Sequence, residues 1–330
     1  VPVDGPSPTF LIPQAEAATR RFPDLQRRLA PLGILPLLRL QNGRPTLVLM
    51  PRPPAGRWAW QPNALLLLAT VATTFYAGYL QSLGLVRAGL LDSAVIGGMA
   101  FSASVMAILG AHEMGHKMVA VRRGIAASLP YFLPMAPPIG TMGAVIVTRT
   151  PAPDRNSLMD LGASGPIAGF LVAIPVLWYG VSHSFLVTQA PTEHLIMIPD
   201  PLLIRLMIRL LLNPAPDTLV LGHPALFAGW IGLVVTSINL LPAGMLDGGH
   251  AVRAALGPRA HRALSYVGIA LAVLMGFYPM ALLIALLMRR GHAGPLDDLS
   301  PLAPSRRLVG LALVIIFVLS AVILQPLPGW

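Results

Sequence analysis

Cysteine is absent from this sequence. Disulfides and thiolate metal sites are therefore excluded, and any metal must be held by His, Asp or Glu. Charge is scarce as well: 11% of the 330 residues are Asp, Glu, Lys or Arg. A soluble domain carries roughly 25%, so an ordinary water-facing surface is excluded. Glutamate is reduced to Glu16, Glu113 and Glu193. No basic cluster is interleaved with stacking aromatics, so the formal charge of +10 does not indicate nucleic-acid binding. The basic residues instead stand singly or in pairs at the ends of apolar runs, where the positive-inside rule places them. The first residues lack a basic region followed by an apolar stretch, so no signal peptide is expected there.

What the chain has is hydrophobicity, at 55% of its residues. Five apolar runs approach the ~20 residues needed to cross a ~30 Å hydrocarbon core. They are Asn63 to Gln81, Ala94 to Leu109, Leu158 to Val181, Ala225 to Leu241 and Leu308 to Leu324. Their recurrence predicts an all-α polytopic membrane protein with six or seven transmembrane helices, embedded in a lipid bilayer. The count depends on residues 264 to 288, read either as one kinked span or as two short helices turning at Gly276 to Pro279.

Residues 1–60 form a distinct module. Arg20, Arg21, Arg27 and Arg28 lie in a polar stretch of helical character. Ile34 to Leu40 and Thr46 to Met50 then flank Asn42-Gly43, the signature of a tight β-hairpin. The arginines place this module on the cytoplasmic side. Residues 61–330 are the membrane domain, with a core over 90–255. Within it, Leu129 to Pro153 is apolar but rich in proline, and Gly140 to Thr148 is rich in β-formers. This predicts a membrane-inserted β-hairpin, which is tolerated at depth only where it lines a cavity inside protein. Residues 184 to 222 are expected on the opposite side, with Pro201 to Leu212 as a short helix lying on the membrane.

The chemistry is concentrated in His112-Glu113-Met114-Gly115-His116. Imidazoles at i and i+4 share one helix face and can reach one cation. Glu113 beside them can take a proton from water. With eight His and three Glu in the chain, composition gives about 0.002 chance matches to this pattern. A catalytic site of this type needs a third protein ligand and an open position. Asp247 is a candidate: Pro242 ends the fourth apolar run, and Gly248-Gly249 permit close backbone approach, so Asp247 is expected on unwound chain at the level of the His pair. His250 is close by but is not counted as a ligand.

His112-Glu113-x-x-His116 followed by Asn239-x-x-Pro242-x-x-x-Leu246-Asp247-Gly248 resembles the site-2 protease family of intramembrane zinc metalloproteases. The resemblance runs from Met106 to His250. It includes Gly140-Thr-Met-Gly143 and Gly162-Ala-Ser-Gly165-Pro166, and the tail Pro295-Leu-Asp-Asp-Leu-Ser300 is similar as well. It is strongest with the archaeal, cyanobacterial and plastid subgroup that lacks a PDZ domain. The resemblance implies Zn2+ held by His112, His116 and Asp247, Glu113 as general base, and Asn239 polarising the scissile carbonyl. It also implies transmembrane protein substrates, cut by regulated intramembrane proteolysis. A prokaryotic cell membrane or a plastid membrane is expected, with the active site towards the cytoplasmic side.

Other readings are weaker. Glu193 as third ligand would sit in an external loop. Ser164, in Gly162-Ala-Ser164-Gly165, has no His clearly placed to activate it as a serine nucleophile. A metal or ion transporter using the same His and Asp residues is the non-enzymatic alternative, but it predicts repeated halves, and the His motif does not repeat. Oligomeric state is not encoded in any of these features.

Overall fold

A computed structural model of the chain describes residues 2–3, 8–52, 56, 58–188, 199–289 and 291–322. Ten of the residues between 184 and 222 (189–198, including Glu193), Arg290 and the expected end of the last apolar run at Leu324 lie outside them.

Near the N-terminus the helix and the hairpin expected from the sequence are present, with two further strands. Strands β1 (Pro2–Val3), β2 (Thr9–Leu11), β3 (Ile34–Gln41) and β4 (Arg44–Pro51) form one sheet in the order β1-β2-β4-β3. β3 and β4 pair from Ile34↔Pro51 to Gln41↔Arg44. Asn42 and Gly43 at the tip both have positive φ, 50° and 76°, the geometry a two-residue hairpin requires. Helix α1 (Ala15–Leu29) covers the sheet through Phe22, which packs with Leu38 of β3 and with Leu296 from far along the chain.

Eight further helices follow: α2 (Gln61–Arg87), α3 (Ala94–Arg122), α4 (Arg155–Ser182), α5 (Leu202–Leu211), α6 (Pro224–Asn239), α7 (Asp247–Leu274), α8 (Tyr278–Met288) and α9 (Pro304–Ser320). Three of them, α2, α3 and α4, are long and apolar enough to cross a membrane; α6 and α8 are apolar but shorter. Asp154 caps α4 by accepting the Ser157 N–H at 2.7 Å. Helix α4 is central and packs against α3, α5, α6, α7 and α9, with Ile108, Phe170, Leu177 and Leu233 in the shared core. Residues 264–288 form two helices rather than one kinked span. α7 ends at Leu274, and Gly276, at φ 84°, turns the chain into α8. α7 is itself broken at Gly257, whose φ of 81° and ψ of −176° are non-helical.

The proline-rich stretch is a hairpin. β5 (Tyr131–Pro134) and β6 (Thr141–Val145) pair antiparallel, with an isolated bridge at Ala127↔Thr148 extending the ladder. Three side chains of α2 hold it. Asn63 Nδ2 donates to the Leu129 and Pro130 carbonyls at 3.0 and 2.9 Å. Thr73 Oγ1 donates to Gly140 O and Gln81 Nε2 to Pro138 O, each at 2.7 Å. From Asn63 to Gln81 is about 27 Å along a helix, so the hairpin lies alongside most of α2. A further small hairpin, β7 (Phe185–Val187) with β8 (Leu219–Leu221), joins the ends of α4 and α6.

The module and the bundle are joined by residues 296–298. Leu38 N–H donates to Leu296 O at 2.8 Å, and Asp298 N–H to Leu38 O at 3.1 Å. On its other side the same segment bonds the chain entering α4: Leu296 N–H to Ala152 O at 2.7 Å, Asp297 N–H to Pro153 O at 2.9 Å. Arg253 of α7 closes the joint with a bidentate pair to Asp298 at 2.8 and 2.6 Å.

Candidate metal centre

Helix α3 carries His112, Glu113 and His116 to its packed side, where they are 3%, 5% and 7% exposed. That burial is possible because the facing helix offers glycine. A Cβ on Gly165 of α4 would overlap the His116 ring, and one on Gly162 would stand 2.7 Å from Asp247 O. The chain after α6 makes a tight turn through Pro242 and Gly244 (φ 54°) and re-enters helix at once. Asp247 is therefore not on unwound chain, as the sequence suggested; it is the first residue of α7. The backbone amides of a first helical turn favour a carboxylate there. Gly249 lets this turn nest on the preceding loop, since a Cβ would stand 2.6 Å from Ala243 O and Gly244 O.

The three side chains converge. His112 Nε2 is 3.2 Å from Asp247 Oδ2, His116 Nε2 is 3.3 Å from Asp247 Oδ1, and the two Nε2 atoms are 3.2 Å apart. Tetrahedral zinc with bonds of about 2.0–2.2 Å sets its ligand atoms about 3.3–3.5 Å from one another. With one ligand atom taken from each residue the three lie within 4.8 Å of one another, and a donor set of two imidazoles and a carboxylate suits such an ion. His116 Nδ1 lies 2.8 Å from the Leu161 carbonyl, so Nδ1 carries the proton and the Nε2 lone pair faces the cluster. Among the described residues, this is the one group of three His, Asp or Glu side chains close enough to share an ion.

Around this group, Asn239, the last residue of α6, brings Nδ2 to 3.4 Å from His112 Nε2. The backbone of Ile146, one residue beyond β6, lies near the Glu113 carboxylate. The sequence carried no signal for Ile146, because a backbone amide has no side-chain identity. Ser164 does have a His beside it: its Oγ is 3.4 Å from His116 Nδ1. Its hydroxyl donates to Leu161 O at 3.0 Å, beside the proton of His116 that goes to the same carbonyl, so Ser164 supports the ring. His250 faces away from the cluster to His292, Nδ1 to Nε2 at 2.7 Å.

Two imidazoles and one carboxylate, with a glutamate adjacent, are buried together inside the helical bundle as a group that could hold a metal ion. Residues 100–283, more than half of the chain, match Peptidase family M50. The chain belongs to this family, that of the site-2 proteases. It is 35% identical over 242 residues to the probable zinc metalloprotease EGY1, chloroplastic, of Arabidopsis thaliana, covering 68% of this chain and 42% of that protein. The rice protein of the same name (Oryza sativa subsp. japonica) is 30% identical over 230 residues, covering 66% and 39%. The probable zinc metalloprotease EGY2, chloroplastic, of Arabidopsis thaliana is 30% identical over 234 residues, covering 67% and 40%. The chain thus spans about two fifths of the length of these relatives. No solved structure matches it.

Proposed function

We propose that this chain is an intramembrane zinc metalloprotease that hydrolyses peptide bonds within or near transmembrane segments of membrane proteins. The observation that carries the reading is the mutual spacing of His112, His116 and Asp247, 3.2–3.3 Å between facing donor atoms, with Glu113 on the same helix. Family membership supports hydrolysis over transport, and the relatives' names support zinc.

In this reading His112 Nε2, His116 Nε2 and Asp247 hold the ion. When bound there, zinc supplies the Lewis acidity that lowers the pKa of water and polarises a carbonyl. Glu113 accepts the proton of the attacking water on its carboxylate and returns it to the leaving amine nitrogen. The Ile146 backbone lies near that carboxylate. Asn239 Nδ2 donates to the carbonyl oxygen as negative charge develops on it. A substrate helix must unwind to expose its carbonyls. β6 pairs with β5 along one edge, and its other edge accepts the unwound segment by strand addition.

We read seven membrane helices, in line with the upper of the two expected counts. α2, α3, α4, α6 and α9 pass through, and α7 with the 11-residue α8 forms an inserted hairpin. Exposed Leu65, Leu68 and Val71 on α2, Leu282 and Leu286 on α8, and Leu311 and Ile315 on α9 supply lipid-facing surface. The N-terminal module, the chain entering α4 and residues 296–298 share one side, which the arginines assign to the cytoplasm. His116 and His112 then lie about 9–15 Å along α3 from Arg122 on that side. The relatives named chloroplastic support a plastid membrane, the second of the two locations expected from the sequence.

The test is cleavage of a model transmembrane peptide by purified protein. Glu113→Gln is expected to lower turnover by about 10²–10⁴-fold while bound zinc, measured by elemental analysis, stays near the wild-type level. A zinc chelator is expected to abolish cleavage reversibly. Wild-type turnover by Glu113→Gln would rule the reading out.

A further inference from the structure

Asp247 opens α7, and whatever fixes the turn just ahead of it decides where its carboxylate stands. Two short backbone bonds close that turn, Ala243 N–H to Leu241 O at 2.7 Å and Leu246 N–H to Ala243 O at 3.1 Å. Neither involves Gly244, the left-handed residue of the turn at φ 54°. Both polar groups of the Gly244 backbone go instead to side chains from the far half of α7. Its N–H donates to Ser265 Oγ at 3.1 Å, and its carbonyl accepts from His261 Nε2 at 3.0 Å.

The two side chains are themselves linked. Ser265 Oγ donates its own proton to His261 O at 2.8 Å, which leaves a lone pair on Oγ for the Gly244 N–H. A ring nitrogen facing a carbonyl must carry the proton, so His261 Nε2 is the donor. The result is a closed, directed ring from Gly244 to Ser265, on to the His261 carbonyl, and from the His261 imidazole back to Gly244. Ser265 is fully buried and His261 is 7% exposed. One turn further along, Gly268 lets α7 lie against the same segment, since a Cβ there would stand 2.6 Å from Ala243 Cβ.

The other side of the turn carries the carboxylate. The first turn of α7 rests through Gly249 on Ala243 O and Gly244 O, one of them the carbonyl that His261 holds. The break at Gly257 divides α7 into a half that begins at Asp247 and a half that grips the turn beneath it. Close-packed segments transmit displacement, so a shift of Gly244 is passed to Asp247. Space for such a shift exists. A cavity of about 150 Å³ borders Gly244, His261 and Ser265, so on that side hydrogen bonds rather than packing hold the turn in place.

We propose that His261 and Ser265 are positioning residues for the metal centre: by clamping Gly244 they set Asp247 opposite His112 and His116. The inference rests on the reading of Asp247 as a zinc ligand and adds to it two residues outside the ligand set.

The experiment uses the full chain in maltoside micelles, freed of metal. Zinc affinity is read by titration against a competing chelator, and thermal unfolding of the metal-free protein is the second readout. His261→Leu is expected to weaken zinc binding by about 10–100-fold, as loss of outer support does at metal sites. His261→Gln keeps an N–H donor at a similar reach and is expected to bind within about threefold of wild type. Ser265→Ala, a smaller change, removes one hydrogen bond and is expected to weaken zinc by about 2–10-fold. Phe22→Ala, in the core of the N-terminal module, is the control for stability alone: its unfolding temperature falls while its zinc affinity stays at the wild-type level. Wild-type affinity in His261→Leu or in Ser265→Ala overturns the proposal. So do equal losses in His261→Leu and His261→Gln, or a matching loss in Phe22→Ala. If wild type and Asp247→Ala bind zinc alike, the assignment of Asp247 itself fails and the proposal falls with it, an outcome distinct from the others.

Discussion

His116 shows how one residue depends on several others. Its Nδ1 proton goes to Leu161 O, its Nε2 faces Asp247 and His112, and its ring lies where a side chain at position 165 would be. Replacing Gly165 by Val is therefore expected to displace the ring and weaken zinc binding by about 10–100-fold, as loss of outer support does at metal sites. Zinc titration against a competing chelator reads this directly, and unaltered affinity would refute the packing argument. In the proposed reading Asp247→Ala removes one of the three ligands and should leave the purified protein without stoichiometric zinc. Asn239 is a different case. If it donates to the developing oxyanion, Asn239→Leu should lower kcat by about 10²–10³-fold with zinc content unchanged. A loss of zinc instead would make it a support for His112. His112, Glu113 and His116 were legible in the sequence because their relation is local: one helix, i to i+4.

At the scale of elements, the β5–β6 hairpin matters most. Its β character was legible from β-formers between prolines, and its antiparallel pairing follows from the short connection. What the sequence did not reveal is that α2 holds it at three levels and that the backbone just past β6 lies near Glu113. Ala144→Pro, within β6, is expected to abolish cleavage of a transmembrane peptide while zinc content and unfolding temperature stay near wild type. Intact cleavage in a stable Ala144→Pro protein would remove strand addition from the mechanism. The helices α7 and α8 were left ambiguous by composition. Gly276 to Pro279 offered a turn in the sequence without deciding between a kink and two helices, and the positive φ at Gly276, a property of the folded backbone, makes the turn.

For the whole molecule, residues 296–298 join the N-terminal module to the bundle. They bond β3 on one side and the chain entering α4 on the other, and Asp298 pairs with Arg253 on the helix that begins at Asp247. The Arg253 and Asp298 side chains are 4% and 8% exposed. Removing one partner of such a pair leaves a buried charge and typically costs about 3–5 kcal/mol. Asp298→Ala is expected to show that loss in denaturant unfolding. It should also expose the module to limited proteolysis ahead of the membrane helices. Simultaneous loss of both parts would instead mean that they unfold as one unit.

Composition and local order in the sequence determined the apolar helices, the Asn-Gly hairpin and the triplet His112, Glu113 and His116, because each rests on residues within a few turns or strand pairs. The tertiary structure alone decided that Asp247 opens a helix, that the Ile146 backbone lies near Glu113, and that α7 breaks at Gly257 beside Arg253. Those arrangements depend on how distant segments pack, and on backbone groups that every residue type carries alike.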